Sequence, residues 1–215
     1  IAIGATAIPE SVLSRALGLT LWGYAMPDDQ TLRQALSACQ IDRYSSREYV
    51  LCPRRLGEQD FPKFLGEALI ASEDRTFYEH HGIDKLAVVS AFATNGLRAI
   101  GLPLPRRGGS SITQQLARTL FLDERDGWSR KIREAALAPR IERVLTKPEI
   151  LAAYMNVVPH ARGMNGFDAA SRYFFGVPVN AIRLEEAALL VGMLPAPNDR
   201  DPPRNPQAAL ESATR

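Results

Sequence analysis

At 215 residues, 46% of them hydrophobic and 23% charged, the chain can bury one sizeable core and has the composition of a globular domain. A formal net charge of +2 excludes a nucleic-acid binder working through bulk charge. No run approaches the roughly 18 apolar residues of a membrane-spanning helix, and Cys39 and Cys52 fit neither a zinc site nor a CxxC redox pair.

Residues 1–60 hold an apolar start without an initiator Met, a turn signal at Pro27-Asp28-Asp29 and both cysteines. They read as an N-terminal segment without recognisable chemistry and a candidate membrane-proximal region. The cysteines either close a short loop in an oxidising compartment or stay as two buried thiols. From Phe61 the positions Phe61, Phe64, Leu65, Ala68 and Leu69 keep helical spacing and run into Ser72-Glu73-Asp74. A buried helix is thus expected to deliver two carboxylates at its end. A second helix is expected from Asp84 as N-cap, through Leu86, Ala87 and Val89 to Phe92.

The stretch 101–109, with Pro103, Pro105, Arg106 and Arg107, reads as a loop of the kind that closes over a substrate. Ser110 is expected to cap the next helix, which runs to Leu122 with Ile112, Leu116 and Leu120 on its apolar face. Such a Gly-Gly-Ser start points backbone N–H groups at the positive end of the helix dipole, where an oxyanion is favoured. Further helices are expected over 128–146, kinked at Pro139, and from Pro148 at the first helical position, with Ile150, Leu151, Tyr154 and Met155 as its buried stripe. Helices over 167–175 and 185–193 complete a mainly α reading, since no alternating strand pattern of useful length occurs.

The chemistry must come from polar side chains on these helices. Arg98, Arg106, Arg107, Arg118, Arg125, Arg130, Lys131, Arg133, Arg140, Arg143 and Lys147 crowd the middle of the chain, as a solvated helix face or as a site for an anion. Glu73 and Glu134 lie on different helices. A carboxylate pair converging on one cleft is suited to moving protons at a sugar carbon; the alternative is two solvated surface acids.

Read whole, five strings resemble the peptidoglycan glycosyltransferase domain of class A penicillin-binding proteins and monofunctional transglycosylases. The first is the run from Ala68 to Gly82 containing Glu73, Asp74, Phe77 and His80, and the second is Gly108-Gly109-Ser110-Ser111-Ile112-Thr113-Gln114-Gln115-Leu116-Ala117-Arg118. Arg130-Lys131 with Glu134 matches the third. Ile150-Leu151 with Tyr154-Met155-Asn156, continued by Gly166 and Phe175-Gly176, matches the fourth, and Glu186 to Leu190 leading to Pro195-Ala196-Pro197 the fifth. They stand in the family's order over about 61–210, and their joint occurrence is a specific signal.

The resemblance implies a lysozyme-like helical fold with a head and a small membrane-associated jaw, over 61–215. It also implies polymerisation of lipid II: the 4-hydroxyl of an acceptor N-acetylglucosamine attacks the anomeric carbon of a lipid pyrophosphate-linked growing chain, with inversion. Glu73 corresponds to the catalytic base. Glu134 corresponds to the second essential glutamate, which organises the pyrophosphate site directly or through a divalent cation, magnesium or manganese; a structural salt bridge to Lys131 and Arg130 is its other reading. Asp74, Phe77, His80, Gly109, Ser110, Ser111, Gln115, Arg118, Arg130, Lys131 and Asn156 are the substrate-binding candidates: Asp74 orients neighbouring backbone or substrate groups, and Phe77 and His80 shape the cleft, with a core aromatic and a satisfied helix-terminal His as their other readings.

No cofactor is required by any motif, and nucleic acid is not among the expected partners. These are lipid II, the lipid-linked glycan chain, the membrane surface and other cell-wall synthesis proteins. The expected setting is the outer, periplasmic face of the bacterial cytoplasmic membrane, behind an upstream transmembrane anchor. Leu102 and Leu104, or the second helix, are candidates to dip into the interface. Thr119, Ala152 and Pro159 stand where the family usually has Asn, Glu and Tyr, which leaves a second reading, a lipid II-binding or partner-docking domain with impaired turnover. Hydrolysis of glycan on the same fold gives no role to the cations around the Gly-Gly-Ser start.

Overall fold

A computed structural model describes residues 28–38, 56–99, 109–122 and 127–214. The cysteines and the loop over 101–108 lie outside the described residues. The described chain is mainly helical: α1 (Asp29–Ala38), α2 (Lys63–Glu73), α3 (Lys85–Ala99), α4 (Ile112–Phe121), α5 (Gly127–Val144), α6 (Lys147–Val157), α7 (Phe167–Phe175), α8 (Leu184–Met193) and α9 (Pro206–Ala213), with 3-10 turns between some of them. No strand occurs among these residues, only an isolated bridge between Pro159 and Asn165.

The core forms where the apolar faces meet. Leu65 and Leu69 of α2, Ile112 and Leu116 of α4, Leu137 and Ile141 of α5, and Ile150 of α6 are fully buried in one cluster. α4 packs between α5 and α6, while α8 packs against α2, α7 and α9. Every residue of α6 from Ile150 to Val157 is buried, so this helix has no solvent face beyond its first turn. α1 lies on α5 through the fully buried Leu32, with Arg140 3.9 Å from Asp29.

Four helix starts differ by one residue from the sequence reading: α5 opens at Gly127 and α8 at Leu184, each one residue early, and the other two differ at their caps. Ser111, not Ser110, caps α4: its Oγ accepts from the Gln114 N–H at 3.1 Å, while Gln114 Oε1 accepts from the Ser111 N–H at 3.0 Å. α6 starts at Lys147 after the Thr146 cap, which puts Pro148 in its second position, because Glu149 reaches back to the Thr146 N–H at 2.8 Å. Asp84 caps α3 as expected, accepting from the Ala87 N–H at 2.8 Å, and Thr76 Oγ1 donates to its other oxygen at 2.5 Å. α5 continues through Pro139.

Candidate active site

Glu73 is the last residue of α2, half-buried at the end of its apolar stripe. Its Oε2 accepts from Gln115 Nε2 at 2.9 Å, and Gln115 Oε1 accepts from the Tyr154 hydroxyl at 2.8 Å. Three helices thus meet in one hydrogen-bonded line, α6 to α4 to α2. Tyr154 is 1% exposed. Burial pushes its hydroxyl pKa up, the charge of Glu73 adds to that, and the charge of Arg118 opposes it. Arg118 is exposed one turn beyond Gln115 on α4.

A second cluster lies where α5 passes the start of α4. The Glu134 side chain is 1% exposed, and its Oε2 accepts from Lys131 Nζ at 2.5 Å. The same ammonium donates to Ser110 Oγ at 2.5 Å, and Arg130 Nε stands 3.6 Å from Glu134 Oε1. Spacings of three and four residues bring both cations onto the helix face that carries the acid. One buried carboxylate therefore holds two cations beside the first turn of α4.

The remaining candidates fix these two groups in space. Asp74 is buried, with both oxygens 3.0 Å from His80 Nε2, and its Oδ2 accepts from the Ile112 N–H at 2.9 Å. The acid that follows Glu73 thereby caps the helix that carries Gln115. Ser111 Oγ also donates to the Gly82 carbonyl at 2.5 Å. Gly82 has φ +89, and a Cβ there would stand 2.7 Å from the backbone of Ala138 and Pro139, so only glycine fits between α4 and α5. Gly109 is pressed against α3, where a Cβ would come 2.9 Å from that of Ala91.

Phe77 is a core residue, with Lys147 Nζ 4.5 Å from its ring centroid. Asn156 is buried and holds Leu56: its Oδ1 accepts from the Leu56 N–H and its Nδ2 donates to the Leu56 carbonyl, both at 2.9 Å. The structure thus places Glu73 with Gln115 of α4, and Arg130, Lys131 and Glu134 with Ser110 just before α4, in two polar clusters. Tyr154 is legible in the sequence as part of a buried stripe and of the fourth motif string; its polar tip on that stripe is the signal that it has a partner.

The sequence matches the family described as Transglycosylase over residues 53–215, which contain all five motif strings. It is 42% identical over 161 residues to penicillin-binding protein 1B of Vibrio cholerae serotype O1, covering 73% of this chain and 20% of that protein. It is 41% identical over 150 residues to penicillin-binding protein 1A of Aquifex aeolicus, covering 70% and 20%, and 38% identical over 163 residues to penicillin-binding protein 1A of Streptococcus pneumoniae, covering 74% and 22%. The chain spans about a fifth of the length of these relatives. It belongs to the transglycosylase family and carries the peptidoglycan glycosyltransferase domain of class A penicillin-binding proteins.

Proposed function

We propose that this domain polymerises lipid II into glycan strands, with Glu73 as the base. A sugar hydroxyl is too weak an acid to attack unaided, and a carboxylate within reach takes its proton as the new bond forms. The acceptor 4-oxygen bonds to the anomeric carbon of the donor from the face opposite the leaving group, and the proton passes to Glu73. The bond from that carbon to the pyrophosphate oxygen breaks, and its electron pair leaves with the lipid pyrophosphate.

The observation that carries this reading is the pairing of the two clusters on α4. Gln115 on α4 holds the half-buried Glu73 carboxylate, and Ser110, just before α4, stands with Lys131 and Arg130 around Glu134. Cations fixed in advance beside a leaving pyrophosphate meet its developing charge without reorganising. Glu134 is the positioning residue of that site, and exposed Arg118 is a further cation for the anionic donor. A divalent cation at this site would be held by Glu134 together with the pyrophosphate oxygens, because among the described residues no group of three or more His, Cys, Asp or Glu could hold a metal by itself.

No helix of the described residues is long and apolar enough to cross a membrane. The setting that fits the substrate is the outer face of the bacterial cytoplasmic membrane, with the lipid tails left in the bilayer. On α3, Leu86 is 83% and Val89 66% exposed, an apolar face suited to the interface; Leu102 and Leu104 lie outside the described residues.

The test is polymerisation of purified lipid II in detergent beside Glu73→Gln, with products separated by length and digested with a muramidase. Muramidase-sensitive polymer from the parent alone is the expected result. Tight lipid II binding without polymer from either protein would instead establish the impaired-domain reading, to which Ala152, Thr119 and Pro159 would then be the first suspects.

A further inference from the structure

We propose that Tyr154 is a positioning residue for the proposed base: by donating to Gln115 Oε1 it locks the amide with its NH2 group on Glu73, which leaves Glu73 Oε1 as the oxygen that takes the proton. The inference rests on the reading of Glu73 as base.

A glutamine side chain fits the same space in two orientations that exchange its oxygen and its nitrogen. In one, Nε2 donates to Glu73 Oε2 and Oε1 accepts from Tyr154, so every group is satisfied. In the other, the amide oxygen would face a carboxylate oxygen at 2.9 Å, acceptor against acceptor. The carboxylate sets the preference at one end of the amide. The phenol makes it rigid at the other, because without that O–H the amide oxygen would lose its partner beside the core and the side chain could swing away.

Tyr154 is suited to this by its surroundings. Its ring is 1% exposed on a helix buried along its length, so packing fixes the hydroxyl and the amide must come to it. Donation into the amide oxygen also polarises the amide and strengthens the N–H bond to Glu73. Among the described residues Oε2 is the only Glu73 carboxylate oxygen with a hydrogen-bond donor, from Gln115, so the proton from the acceptor hydroxyl goes to Oε1. Oε2 remains an acceptor whether Glu73 is ionised or protonated, and Gln115 therefore holds its place before and after the transfer. A base that needs no rearrangement when its charge changes avoids a reorganisation cost at the moment of reaction.

The experiment compares the parent chain with Tyr154→Phe, Gln115→Ala, the double variant and Glu73→Gln, measuring kcat, KM for lipid II and thermal unfolding. The expected result is about a ten-fold loss of kcat in Tyr154→Phe with KM within about two-fold, the scale of one lost hydrogen bond. Gln115→Ala should lose at least as much, and the double variant no more than Gln115→Ala, because the phenol acts through the amide. A structural role for Tyr154 would give additive losses that track the melting temperature, and that outcome overturns the proposal. Parent-level kcat in Tyr154→Phe with an inactive Glu73→Gln overturns it too while leaving the base in place. An active Glu73→Gln removes the base reading, and the proposal falls with it.

Discussion

Lys131 serves two partners with one ammonium, and the consequences of losing it separate structure from chemistry. Lys131→Met leaves the buried Glu134 carboxylate with Arg130 at 3.6 Å and without its closest cation. Half of a fully buried pair left alone costs roughly 3–5 kcal/mol, and the loss here should be smaller, about 2 kcal/mol, because the Lys131 side chain is itself half exposed. Adding Glu134→Gln removes the stranded charge, so urea unfolding of the double variant should return most of that stability. Under the proposed function polymerisation should not return with it, since the cation assigned there to the leaving pyrophosphate is still missing. A double variant that regains both would show that the cluster is a salt bridge and nothing more.

Helix by helix, what could be read from the sequence depends on whether the deciding partner is near in the chain. The stripe from Phe61 to Leu69 and the acids at its end are legible because periodicity alone fixes the buried face of α2. Either serine of the Gly-Gly-Ser-Ser start can cap, and Ser111 prevails over Ser110 because Gln114 sits three residues after it and closes a capping box, a signal present in the sequence. The Asn205-Pro206 start of α9 is of the same local kind. The line from Tyr154 to Glu73 is not local: its hydrogen bonds join residues 39 and 42 apart, and only the packing of α6 and α2 on α4 creates them. Among the contacts between elements, Gly82 leaves no room for a side chain. Gly82→Ala should cost at least about 2 kcal/mol, through a strained φ and a collision with the α5 backbone at Ala138 and Pro139, measured as a fall in the urea midpoint.

At the scale of the whole molecule, stability carries a pH dependence set by a histidine remote in sequence from the proposed base. His160 is buried edge-on against Phe167, ring centroids 4.9 Å apart, and neither ring nitrogen has a hydrogen-bond partner. Burial depresses its pKa from 6.5 to about 3. Between those values the unfolded chain holds a proton that the folded chain lacks, so the fold keeps its full stability above about 6.5 and loses it as the pH falls through the window. The slope approaches about 1.4 kcal/mol per pH unit for one proton. Melting curves at pH 7.5, 6, 5 and 4 should therefore fall more steeply for the parent chain than for His160→Leu; parallel curves would show that His160 stays accessible to protons in the fold. The Asn156 clamp acts at the same scale. Its paired hydrogen bonds to Leu56 imitate one rung of a sheet ladder, and such a rung, pulled along the chain, carries load through both bonds at once. Tension arriving at Leu56 would pass into α6, two residues from Tyr154, and so tug on the line of hydrogen bonds that ends at Glu73.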